Sequence, residues 1–131
     1  MYKGIIDTAT AVAANIDIPF KTEFNTNRKT VPADGAVAIV EPGFWNVKAQ
    51  LNFTYTSATS GNVSFQFYDN GEPIPEARWT WVASQNDVIT ATIMDLFRVV
   101  RTYTPSLAKL SVRATAPVTV NSAVFIVDQE R

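Results

Sequence analysis

Residues 45–56 alternate without a break. Trp45, Val47, Ala49, Leu51, Phe53 and Tyr55 are separated by Asn46, Lys48, Gln50, Asn52, Thr54 and Thr56. A strict period of two predicts a long β-strand with one buried and one wet face, because a helix would spread these apolar side chains around its circumference. Pro42-Gly43 supplies the turn into the strand and residues 57–61 the exit. Residues 63–68 alternate again and end in Asp69-Asn70-Gly71-Glu72. Asn-Gly accepts the positive φ angles of a type I′ turn, which predicts a hairpin into the segment that starts near Ile74. Pro73 and Pro75 lack amide donors and assign that next strand to a sheet edge or make it irregular.

Weaker signals fill the rest. Residues 36–40 form a short apolar run between Asp34-Gly35 and Glu41-Pro42-Gly43, and Ile16, Ile18 and Phe20 suggest another strand. Leu110, Val112 and Ala114 alternate with Lys109, Ser111 and Arg113, and residues 118–127 close the chain. Within that last run Val124-Phe125-Ile126-Val127 is apolar on both faces, which predicts a central strand or a subunit contact. Residues 87–100 are compatible with a helix by spacing. Their β-branched run at residues 88–93 favours a strand. Roughly eight to ten strands with turn signals between them predict an antiparallel sandwich or barrel. One domain is expected over residues 16–131, with residues 1–15 forming an arm or a first strand.

Composition narrows the chemistry. The chain contains neither Cys nor His, so disulfides, thiolate metal sites, cysteine nucleophiles and histidine bases are all excluded. A net charge of −1 without basic blocks speaks against nucleic acid, which needs a cationic face to displace counterions. No apolar run approaches the length of a membrane span. Residues 1–7 carry no secretory signal pattern, so synthesis and folding in the cytosol are expected. The sequons at Asn52 and Asn62 fall in predicted strands and are read as chance.

Pro42-Gly43-Phe44-Trp45-Asn46-Val47-Lys48-Ala49 resembles the P-G-x-Y-x-V/F-x-A strand of tumour-necrosis-factor-like jelly rolls, the group that includes complement-type globular heads. Residues 63–67 followed by Asn70-Gly71-Glu72-Pro73-Ile74-Pro75-Glu76-Ala77 resemble the next hairpin of that family, and residues 118–127 its closing strand. The resemblance covers residues 36–127. The L-x-x-G-D tip of the family has no counterpart at Thr104-Pro105-Ser106-Leu107-Ala108-Lys109. The resemblance implies a ten-strand jelly roll that trimerises through an aromatic-rich sheet face and acts by contact. Jelly rolls of this size also serve as bacteriophage capsid decorations and head fibres. The expectation is therefore a non-enzymatic homotrimeric virion protein, a capsid decoration or head-fibre knob assembled in the host cytoplasm, with capsid or other virion proteins as partners. The alternative is a receptor- or glycan-binding module of a tail tip or cell-surface head.

Candidate residues follow from this picture. Phe65, Phe67, Tyr55 and Phe125 are candidates for the subunit or partner contact, set against a plain reading as sandwich core. Trp79 and Trp81, with Arg78 beside them, are candidates for stacking on a sugar ring, set against packing at a core or subunit boundary. Asp69, Asn70 and Glu72 offer too few oxygens for calcium and read as turn chemistry. Glu72 with Glu76, or Asp87 with Asp95, lack any feature that marks a hydrolytic pair. Arg98, Arg101 and Arg113 read as a solvated face or as contacts to an acidic partner. No catalytic residue, metal or cofactor is assigned.

Overall fold

The structure, a computed structural model, describes residues 1–26, 29–99 and 108–130, the side chain of Glu76 excepted. Arg101 and residues 104–107 of the atypical tip lie outside this set. The described residues form eleven strands and no helix: β1 (Tyr2–Ile6), β2 (Thr10–Val12), β3 (Lys21–Asn25), β4 (Thr30–Ala33), β5 (Ala36–Ile39), β6 (Gly43–Tyr55), β7 (Gly61–Asp69), β8 (Glu72–Ala83), β9 (Val88–Val99), β10 (Ala108–Ala114) and β11 (Val118–Gln129). Two antiparallel sheets pack face to face. The first has the order β3-β1-β11-β6-β9, with β2 alongside the start of β11, and the second has the order β4-β5-β10-β7-β8. From β5 onward only the β7–β8 connection stays within one sheet; every other step changes sheet, as a jelly roll requires.

The predicted landmarks fall into place. The alternating stripe of β6 runs beside β11 on one flank and β9 on the other. All six of its apolar side chains point inward and are at most 3% exposed. Asn70 and Gly71 take φ values of 51° and 83°, and the resulting turn pairs Asp69 with Glu72. Asp34 and Gly35, at φ 51° and 86°, close β4 onto β5 in the same way. Here a glycine is demanded twice over, because a Cβ at Gly35 would also run into the Ile18 carbonyl oxygen. With its two prolines β8 is an edge strand, and its register against β7 slips between Gln66 and Tyr68. Strand β11 is central. Residues 88–99 resolve as strand.

The additional strands come from the first 33 residues. Tyr2–Ile6 lies between β11 and β3 as part of the first sheet. The residues read as a strand around Ile16, Ile18 and Phe20 instead bridge the sheets. Asn15 donates to the Ala114 carbonyl at 2.8 Å and Ile18 to that of Val112 at 2.9 Å, so this segment extends the second sheet beside β10. Ile18 and Phe20 are buried by that crossing, whereas Ile16 faces solvent.

Aromatic rings fill the space between the sheets in two groups. Phe125 is the centre of one, with Phe20 at 5.1 Å, Tyr2 edge-on at 6.0 Å and Phe67 stacked at 6.1 Å. Phe53 and Phe65, 4.8 Å apart, form the other together with Trp79. These rings come from both sheets, so the core is one continuous layer.

Candidate functional site

Phe65, Phe67 and Phe125 are completely buried and Tyr55 is nearly so, its hydroxyl donating to the Thr59 carbonyl at 2.8 Å. A side chain enclosed between the two sheets of its own subunit has no surface left for a neighbour. The four candidates for a subunit contact are thus placed in the core of their own subunit.

Arg78, Trp79 and Trp81 are split by the pleat, since adjacent strand residues point to opposite faces. Trp79 points inward and packs against Phe53 and Phe65. Trp81 stacks on Trp79 with centroids 6.4 Å apart and planes 14° from parallel, but it lies at the rim and is 54% exposed. Arg78 projects from the other face, where its Nη2 donates to Ser64 Oγ at 3.1 Å. The outer indole is the more exposed of the two, and the Arg78 guanidinium lies on the opposite face of the strand.

Two of the acidic residues weighed from the sequence serve local structure. Asp69 Oδ1 accepts from the Lys109 amide at 3.0 Å, and Asp87 Oδ2 from the Ser84 amide at 2.8 Å. Asp95 opposes Val47 and so takes an inward-facing position in edge strand β9, a charge that discourages edge-to-edge pairing with another sheet. Arg98 opposes Phe44 on the outer face of the first sheet. Arg113 lies on the outer face of the second, its Nε 2.7 Å from Asp17 Oδ1.

Exposed apolar side chains sit elsewhere. On the outer face of the first sheet the register places Met94 beside Lys48, Lys48 beside Ile126 and Ile126 beside Lys3. Met94 is 66% exposed and Leu96, two residues on, 54%. With Asn46, Lys48, Ile126 and Asp128 they line a shallow depression of about 620 Å³. Next to this face lies the open edge of the sandwich, where β8 and β9 approach each other from the two sheets. Trp81 and Val82, the latter 70% exposed, project there. A wet sheet face needs no Met94, Leu96 or Ile126, and a solvated edge needs no indole. The signal was present in the sequence: Ile93-Met94 and Leu96-Phe97 are apolar at both parities, like residues 124–127.

A two-sheet antiparallel sandwich whose chain, from β5 onward, changes sheet at every connection but one is a jelly roll. Its backbone is similar to the globular domain of zebrafish complement 1qA, with a TM-score of 0.69 and 10% identity over 99% of this chain and 96% of that one. It is likewise similar to the Eiger TNF of S. frugiperda (TM-score 0.65, 11% identity, 98% and 90% of the two chains). The third likeness is to the PRD1 vertex protein P5 (TM-score 0.57, 11% identity, 98% and 96%). No family model matches the sequence. No curated protein matches it either.

Proposed function

We propose that the protein is a non-enzymatic structural knob of a virion, a homotrimer that decorates the capsid or tips a head fibre. The carrying observation is the set of apolar side chains left unpartnered on one face and the edge beside it: Met94, Leu96, Trp81 and Val82. Face and edge belong to different surfaces of the same chain. An edge that docks on the face of the next copy makes a heterologous contact, and such contacts close into a ring when the rotation allows it. Trp81 is the natural anchor, a large indole already held by Trp79, and the depression floored by Met94, Leu96 and Ile126 is its receiving surface. The likeness to a vertex protein supports the placement in a particle. Mass measurement under native conditions at micromolar concentration is expected to give three times the 14.4 kDa chain. A stable monomer at that concentration overturns the proposal. Mass spectrometry of purified particles tests the location.

The exposed Trp79–Trp81 stack favours a second reading, a glycan-recognising tip. If it holds, Trp81→Ala abolishes glycan-array binding and leaves the mass unchanged. If the knob reading holds, the same variant lowers the mass.

A further inference from the structure

On the outer face of the second sheet, far from the surface assigned to the subunit contact, a depression of about 260 Å³ is lined by Asp17, Asn70, Gly71, Lys109, Ser111 and Arg113. Its floor is β10. Leu110 and Val112 enter the core, so Lys109, Ser111 and Arg113 point the other way. The wall on one side is the crossing segment with Asp17, and on the other the Asn70-Gly71 turn.

Three donor-bearing side chains converge here, each with donor capacity left over among the described residues. Arg113 is held in place by its Nε on Asp17 and by the Tyr68 ring, 4.6 Å beneath the guanidinium carbon. Its Nη2 lies close to the turn, 3.8 Å from where a Gly71 Cβ would stand, and its terminal nitrogens donate to no described side chain or carbonyl. The Lys109 ammonium has no carboxylate within 4.0 Å among the described residues, all the ion pairs there being formed by other cations. Ser111 is only 3% exposed, but its hydroxyl makes no hydrogen bond among the described residues and keeps access to the depression, where it can bond a ligand atom in place of water. Lys109 and Arg113 stand against the carboxylates of Asp17 and of Asp69, whose Oδ1 accepts from the Lys109 amide, so the two cations act here as directed donors and not as an excess of charge.

Acceptors stand beside these donors. Asp17 has a second carboxylate oxygen beyond the one on Arg113. Asn70 spends its Nδ2 on Asp69 and keeps its side-chain carbonyl free among the described residues. A bare anion uses donors only, whereas a carboxylate attached to a ring of hydroxyls uses both sets. We propose that this depression binds the carboxylate and neighbouring hydroxyls of a single acidic sugar residue, such as a uronic or sialic acid. In this arrangement Arg113 and Lys109 hold the carboxylate, Ser111 donates to it or to an adjacent oxygen, and Asp17 and Asn70 accept from hydroxyls. A volume of about 260 Å³ is the size of one pyranose ring.

The test is titration of the full chain with glucuronic acid and N-acetylneuraminic acid, followed by chemical-shift perturbation, with glucose and acetate as the two halves of the ligand offered separately. At least one acidic sugar is expected to shift the amides of residues 109–113 and 70–71 and to bind more tightly than either half. Lys109→Gln removes a charged donor and is expected to weaken binding about tenfold. Ser111→Ala is expected to weaken it several-fold while leaving the melting temperature unchanged or raised, because the hydroxyl it removes has no partner to lose. Neither change is expected to alter the native mass, so failure here is separable from failure of the knob. Binding of acetate or glucose as tight as that of the acidic sugars overturns the proposal. So does an unchanged affinity in both variants, or the absence of any saturable shift.

Discussion

Tyr2 brings its phenol to the boundary of the core, 1% exposed, with its ring edge-on to Phe125 and a hydrogen bond to the Thr22 side chain. The space for that hydroxyl is made by Gly4, since a Cβ there would collide with it. Burial raises the pKa of this phenol, and the hydrogen bond with Thr22 only partly opposes the shift. The sign of the consequence is definite: the fold prefers the neutral form. Below about pH 10 both folded and unfolded chains are protonated and the full contribution is present. As the pH rises beyond that, the unfolded chain ionises first and the contribution is lost progressively until the folded pKa is passed. Tyr2→Phe is expected to cost about 1 kcal/mol at neutral pH through the lost hydrogen bond. Denaturant titrations across the alkaline range are expected to show that advantage of the native protein shrinking above about pH 10. Curves that stay parallel to pH 11 would contradict the assignment.

At the scale of elements, β6 and the β7–β8 hairpin were legible because each carries its rule in consecutive residues, a strict alternation in one and Asn70-Gly71 in the other. Strands β3 and β4 were not. Lys-Thr-Glu-Phe-Asn has a single apolar side chain, and Thr-Val-Pro-Ala contains a proline, so only pairing with β1 and β5 makes them strands. The split of Arg78 from Trp79 was legible from parity alone. The meeting of Asp17 with Arg113 was not, because it depends on a crossing segment that closes a contact over 96 positions. Likewise the aromatic residues chosen for a subunit contact could be recognised as apolar, but not as enclosed, until the second sheet was in place. Phe125 makes that distinction measurable. It touches rings from the first twenty residues and from the opposite sheet, and Phe125→Ala is expected to destabilise the fold by about 3–5 kcal/mol. Its signature is a large drop in unfolding midpoint with no change in the stoichiometry of the protein that remains folded. A loss of assembly at unaltered chain stability would instead place Phe125 at a contact.

For the whole molecule, the two sheets differ in what their outer faces offer. The second presents Asp17, Asn70, Lys109 and Arg113 around a small polar depression, while the first presents Met94, Leu96 and Ile126 next to an edge that ends in Trp81 and Val82. The proposed edge-to-face ring would use the first and leave the second pointing outward, so the proposed contact and the proposed sugar site would lie on different sides of one jelly roll. Leu96 isolates the assembly side. It opposes Asn46 on the wet parity of β9 and contributes nothing to the core, so Leu96→Asp leaves the chain foldable. Within a ring the same change buries a carboxylate against the indole of the neighbour, a penalty of several kcal/mol for an unpaired charge. The variant is expected to sediment as a monomer with unchanged far-ultraviolet dichroism, and its melting temperature is expected to lose the concentration dependence that linked folding and assembly impose. A Leu96→Asp protein that still sediments at three times the chain mass removes this face from the contact. A monomer with the native spectrum places the contact there and leaves the sugar-binding side to be tested on a single, soluble subunit.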